Sequence, residues 1–87
     1  MMNAQYTLEM VTRTEVDVTM PNGQTTTIPS EQAVALINNM AAKGIKGALI
    51  IRNGRVHNQD VAEAALNAAG LTGYAAAKAQ ASGRIEF

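Results

Sequence analysis

The middle of the chain carries cationic side chains with no acid among them. Positions 32–59 contain no Asp or Glu, whereas residues 1–31 carry a net charge of −3 and residues 60–87 one of −1. Charge this unevenly distributed favours an anionic partner, which can be a phosphate, a nucleic acid or an acidic protein surface. The equally open alternative is ordinary solvated surface that answers acids on a neighbouring strand. The cations are Lys43, Lys46, Arg52 and Arg55, with His57 as a titratable imidazole beside them.

Two glycines lie within this segment at a suggestive spacing. Gly44-Ile45-Lys46-Gly47, followed by Ile50, resembles the G-x-x-G-x-x-I stretch of KH domains, whose loop clamps a nucleic-acid backbone. KH domains place that loop between two helices, whereas residues 48–52 favour a strand. The alternative is that one glycine ends a helix and the other belongs to a turn, and free amides there could still hold an anion. The predicted partner-binding or anion-binding residues are Lys43, Gly44, Lys46, Gly47, Arg52, Asn53, Arg55 and His57.

The residues that enzymes use are sparse. Cysteine is absent, which excludes disulfides, thiolate metal sites and cysteine nucleophiles, and His57 is the only histidine. Asp60 and Glu63 stand one helical turn apart, where they could bind a cation, but acids are also common in the first turn of a helix. Neither a phosphate-binding loop motif nor a serine-hydrolase motif is present. The sequence therefore predicts a protein that is not an enzyme and has no cofactor or metal.

The elements that position these residues begin with β-structure. Apolar and polar residues alternate along residues 6–20, which predicts strand, and we expect a bend rather than a tight turn at Thr12-Arg13-Thr14. Asn22-Gly23 predicts a hairpin turn into a return strand at residues 24–28. Ser30 is the expected N-cap of a helix that runs to about Lys43.

The second half of the chain predicts another hairpin and more helix. Residues 47–52 and 55–57 are the two expected strands, joined by a turn at Asn53-Gly54. Asn58 or Asp60 can cap a second helix that ends at Gly70. A third helix from about Thr72 to Ala81, stopped by Gly83, precedes a terminal strand or docked tail.

These elements predict a single α+β domain over residues 1–87. Its order is two β-hairpins with one helix between them, which resembles the β-grasp arrangement over residues 6–57, followed by two short alanine-rich helices and a C-terminal strand or tail. The resemblance lacks a Gly-Gly tail, so it implies no conjugation role.

The composition indicates how such a domain works. Sixteen of its apolar residues are alanine, so the core is thin and a homo-oligomer is expected. No apolar stretch is long enough to span a membrane, so the expected location is cytoplasmic. We expect a small oligomeric adaptor or inhibitor, a bacterial accessory protein or a phage-encoded one, that docks on a larger protein through a basic hairpin or its alanine-rich helices. The alternative is binding or sequestration of an anionic, nucleotide-like small ligand or a nucleic acid by residues 43–57.

Overall fold

The computed structural model describes residues 5–52 and 58–87, which form a small α+β domain. Within these ranges a five-stranded mixed sheet has the strand order β3-β2-β1-β4-β5. Three helices complete the described part of the chain, so the predicted fold class is confirmed. In chain order the elements are β1 (Tyr6–Met10), β2 (Glu15–Thr19), β3 (Thr25–Pro29), α1 (Ser30–Lys43), β4 (Gly47–Ile50), α2 (Gln59–Ala69), α3 (Gly73–Ser82) and β5 (Arg84–Glu86).

The first three strands form an antiparallel meander. β1 pairs with β2, with Leu8 opposite Val18, so the expected bend between residues 6 and 20 is wrong and the chain reverses there. The reversal is tight because the amides of Val11 and Thr12 both donate to the carbonyl of Glu15, at 3.2 Å and 3.4 Å. The predicted turn at Asn22-Gly23 is confirmed, since it joins β2 to β3 and Gly23 has a φ of 92°.

Strand β3 forms one edge of the sheet. The hydrogen bonds at its two ends show which of its residues bond to β2. The Met20 amide donates to the Gln24 carbonyl and the Ser30 amide donates to the Thr14 carbonyl, each at 2.8 Å. Opposed residues of an antiparallel pair alternate between bonded and non-bonded positions, so the even-numbered residues of β3 face β2. The odd-numbered residues face outwards, and Pro29, which has no N–H, falls at a position where none is needed.

Helix α1 crosses over the sheet and connects β3 to β4. Ser30 was expected to cap it, but Ser30 is the first helical residue and Pro29 occupies the cap position without a side-chain bond. Pro29 already has the extended backbone of a cap residue, with a φ of −62° and a ψ of 151°, so the helix begins at Ser30, whose amide donates to the Thr14 carbonyl just before β2. Gly44 ends the helix in the left-handed region, as predicted, with a φ of 71°. The crossover places β4 parallel to β1.

The C-terminal half adds a helix that packs beside α1 and a strand that pairs with the edge of β4. Asn58 caps α2 as predicted, because its side chain accepts from the Val61 amide at 3.2 Å. Gly70 and Gly83 end α2 and α3 in the left-handed region. The expected terminal strand is β5, which pairs antiparallel with β4. The predicted return strand at residues 55–57 lies outside the described residues.

The hydrophobic core lies between one face of the sheet and helices α1 and α2. Leu8, Leu49 and Ile85 from three strands are fully buried there, opposite Ile37 of α1 and Val61 of α2. By strand alternation the other face, which we call the open face, carries mainly Thr, Asp and Glu side chains together with the fully buried Ala48. Strands β3 and β5 form the two edges of the sheet.

Candidate functional site

The first part of the predicted basic segment is the turn from α1 into β4. Lys43 and Lys46 are exposed, which leaves both side chains accessible to a partner. The Gly44 amide, however, donates to the Ala41 carbonyl at 3.2 Å, and the Ile45 amide donates to the Met40 carbonyl at 2.9 Å. These two amides are consumed by the helix terminus and cannot hold an anion. The helix-ending interpretation of Gly44 is the one that the geometry supports.

Gly47 has a packing role. It is buried at the start of β4 and exchanges two backbone hydrogen bonds with Phe87, of 2.9 Å and 2.8 Å. A Cβ at this position would lie 2.9 Å from both the Met40 Cε and the Phe87 Cζ. Gly47 is therefore neither a turn residue nor a free backbone donor, and its part in binding stays a prediction. Neither it nor Gly44 forms the helix-to-helix loop of a KH domain, because β4 follows directly.

Arg52 lies beyond the other end of β4 and is paired with an acid. Its Nε lies 2.7 Å from Glu9 Oε2 of strand β1, while 71% of the Arg52 side chain stays exposed. This pairing corresponds to the solvated-surface alternative, in which the cations answer acids on a neighbouring strand. A competing anionic partner would have to displace Glu9. Asn53, Arg55 and His57, which complete the predicted set, lie outside the described residues.

The described cations do not form one patch. Lys46 precedes β4 and Arg52 follows it, and Ile51 continues the pairing with a 2.8 Å bond to the Gly83 carbonyl. At about 3.3 Å per extended residue, the two cationic positions are separated by roughly 20 Å. This separation is greater than the Debye length at physiological salt, so the two charges cannot act as a single anchor for a small ligand.

A polar cleft between α1 and α2 is a feature that the sequence did not single out. Its volume is about 470 Å³, and its lining includes the apolar Val34 and Ala64 and three carboxylates. Glu63 is partnered by the Gln59 side chain at 3.4 Å. The described lining contains no cationic residue, so the cleft disfavours anions. Its polar lining residues are Ser30, Glu31, Asn38, Asp60, Glu63 and Asn67.

Helix α3 supplies the most exposed surface among the described helices. None of its residues is buried, and it touches the core only through the half-buried Ala76 and Ala79. Tyr74 is 83% exposed, which is far more than packing on the domain would leave. We call the outward side of this helix the α3 surface, which consists of Tyr74, Ala77, Lys78 and Ala81. The signal in the sequence was an aromatic residue in a helix without a stripe of large apolar side chains.

Comparisons with known proteins and tests for common site types give no assignment. No protein-family model, no curated protein and no solved structure matches this chain. Among residues 5–52 and 58–87 there is no group of three or more His, Cys, Asp or Glu side chains arranged to hold a metal ion. None of the helices in those ranges is both long and apolar enough to cross a membrane.

Proposed function

We propose that this chain is a non-enzymatic protein-interaction module, a small cytoplasmic oligomeric adaptor or inhibitor that docks on a larger protein through the α3 surface. The observation that carries the proposal is the 83% exposure of Tyr74 on a helix with no buried residue. A tyrosine in that position contributes little to the stability of the free domain. In an interface it provides a large, rigid contact with a polar end, which is why Tyr is enriched at binding hot spots.

The rest of the α3 surface suits a protein partner. Ala77 and Ala81 follow Tyr74 at helical spacing, so a partner's backbone can approach closely beside the ring. Lys78 adds one charge, which gives a mainly apolar contact with a cationic rim. An acidic or neutral protein surface matches this composition better than a nucleic acid does, because phosphate recognition needs several cations.

The composition of the core favours the self-association that this proposal includes. The domain has a thin core of alanine and mid-sized aliphatic side chains, and three of the buried positions of α2 are alanine, at 62, 64 and 65. A second copy would add apolar burial that a chain of 87 residues lacks on its own. Binding to a partner in pairs would also raise the apparent affinity of a small interface.

The experiment is an affinity capture from nuclease-treated native lysate with the purified chain as bait. We expect wild type to retain one protein and the Tyr74→Ala variant to lose at least about tenfold of it, since truncating an aromatic hot spot typically costs 2 kcal/mol or more. Asn39→Ala is the matched control, because Asn39 is exposed on α1 and lies outside both the α3 surface and residues 43–57. Equal retention by wild type and Tyr74→Ala would exclude the α3 surface as the docking site.

The alternative function, binding of an anionic ligand or nucleic acid by residues 43–57, has a distinct signature. It requires retention that falls steeply as salt rises, whereas an apolar protein contact changes little. The variant Lys46→Glu/Arg52→Glu would abolish such retention while Tyr74→Ala would leave it intact. Absorbance at 260 nm that is lost on denaturation and filtration would identify a nucleotide or nucleic acid.

A further inference from the structure

The sheet described above ends in two strands that differ in charge. β5 has three residues, and two of them are Arg84 and Glu86, whose side chains form a 2.9 Å ion pair. β3 has five residues, and no charged side chain occurs anywhere between residues 21 and 30. Natural sheets protect free edges with charged side chains, bulges or covering elements, and β3 lacks the first of these. Residues 25–27 are exposed, so this stretch of the edge is accessible to another strand.

The backbone of β3 offers a defined pattern to that strand. Since the even-numbered residues face β2, the outward donors are the amides of Thr25 and Thr27. Pro29 contributes no donor, which closes one end of the edge and limits the registers that a new strand can adopt. The outward groups lie in the short stretch from Thr25 to Thr27, and their pattern is symmetric about Thr26.

We propose that β3 pairs antiparallel with β3 of a second copy of this chain, about a two-fold axis at Thr26. In this register Thr25 of each copy lies opposite Thr27 of the other, and the two pairs exchange four backbone hydrogen bonds. The inference specifies the self-association within the proposed function, and it does not depend on docking through α3. The result is one continuous sheet of ten strands across the described parts of two copies.

The side chains of the edge are compatible with this pairing. Thr25 and Thr27 project to the open face, where their hydroxyls contact Thr19 at 3.0 Å and Asp17 at 2.5 Å within the same copy. Threonine pairs across strands are favourable, and this register sets no like charges opposite each other on β3. On the other face Ile28 is half-buried, and it would lose further exposed area against the second copy.

The interface is small, so the association should be reversible. One strand edge and one half-buried aliphatic side chain per copy correspond to the low end of specific interfaces. We therefore expect sedimentation of the wild-type chain to shift from monomer to dimer as its concentration rises through the micromolar range. A wild-type chain that stays monomeric up to millimolar concentration would overturn the proposal.

Charge substitution at the two-fold axis gives the sharpest test, because Thr26 is the only residue of β3 that lies opposite the same residue of the second copy. Thr26→Lys and Thr26→Glu each place two like charges directly opposite, and we expect each variant to be monomeric. An equimolar mixture of the two variants should restore a dimer. Ala42→Lys, which adds the same charge on the exposed face of α1, should dimerise like wild type. A wild-type dimer that persists unchanged in Thr26→Lys would place the interface elsewhere and overturn the proposal.

Amide hydrogen exchange separates loss of pairing from loss of fold. In the dimer the Thr25 and Thr27 amides should be protected, and in Thr26→Lys they should exchange at least about tenfold faster. The amides of Thr26 and Ile28 face β2 and should stay protected in both, which shows that the domain remains folded. Protection of Thr25 and Thr27 that appears only on adding a different protein would overturn self-pairing in favour of strand addition by that protein.

Docking through the α3 surface and pairing of β3 are tested by different variants, so one can be overturned without the other. A monomeric Thr26→Lys variant that still captures the lysate protein through Tyr74 supports both the edge pairing and the adaptor function. A Tyr74→Ala variant that captures as much as wild type overturns the docking proposal, while its unchanged dimerisation would still support the pairing of β3.

Discussion

Gly47 and Phe87 exchange two backbone hydrogen bonds, of 2.9 Å and 2.8 Å, and the Phe87 ring occupies the space that a side chain on Gly47 would need. We expect Gly47→Ala to lower the free energy of unfolding by about 1–3 kcal/mol, because the new methyl group must displace the ring and the end of Met40. Urea denaturation measures the change.

A double-mutant cycle isolates the contact between these two residues. In a Phe87→Leu background the added methyl group meets a smaller side chain, so Gly47→Ala should cost less than it does in wild type. Equal costs in the two backgrounds would mean that the strain arises at Met40 alone.

Asn58 ties the start of α2 to the β1–β2 turn. Its Oδ1 accepts from the Val61 amide at 3.2 Å and its Nδ2 donates to the Arg13 carbonyl at 2.7 Å. We expect Asn58→Ala to destabilise the domain by about 1–2 kcal/mol through loss of the cap. Asn58→Asp keeps the cap acceptor and loses the donor, so it separates the two contributions in thermal or urea unfolding.

Thr72 is the matched comparison for this prediction. It occupies the N-cap position of α3 but makes no side-chain capping bond. Thr72→Ala should therefore change the free energy of unfolding by less than about 0.5 kcal/mol. A cost equal to that of Asn58→Ala would show that residue type rather than the observed bond determines stability at these helix starts.

The ion pair between Arg52 and Glu9 should add little to stability. Because 71% of the Arg52 side chain is exposed, a double-mutant cycle with Arg52→Ala and Glu9→Ala should give a coupling of about 0.2–1 kcal/mol. The coupling should shrink between 0.05 M and 1 M salt, as expected for a solvated pair. A coupling that does not respond to salt would contradict the exposed geometry.

Tyr74 should be dispensable for folding. Its side chain is 83% exposed, so Tyr74→Ala should change the free energy of unfolding by less than about 0.5 kcal/mol. This neutrality is what makes the variant informative in affinity capture, because any loss of binding then reflects the surface. A large loss of stability would instead show that the ring packs on the domain in solution.

Local chemistry explains which elements were predictable. Glycine adopts positive φ without steric cost, so it marks turns and helix ends in a sequence. The structure confirms this at Gly23, Gly44, Gly70 and Gly83, whose φ values lie between 71° and 92°. Asn58 was predictable as a cap for a different reason, since its short amide side chain can reach a free N–H two or three residues ahead. The bend expected before β2 was wrong because the turn is closed by two backbone bonds to the Glu15 carbonyl and by a bond from the Thr14 amide to the Thr12 hydroxyl, which apolar–polar alternation does not report.

Contacts between distant residues explain what was missed. The sequence placed Lys46 and Arg52 in one basic segment, and only the strand between them separates the two side chains. The partner of Arg52 is Glu9, which is 43 positions earlier and comes close only because β1 and β4 are neighbours. The cleft depends in the same way on how α1 lies beside α2.

The parallel pairing of β1 with β4 also has a kinetic consequence. Tyr6 is opposite Gly47, so the β1–β4 pair at the centre of the sheet joins residues that are separated in sequence by β2, β3 and α1. Local hairpins form within microseconds, whereas pairings between sequence-distant strands must first overcome the loss of loop entropy. The β1–β2–β3 meander should therefore form early, and the docking of β4 against β1 should limit the rate of folding.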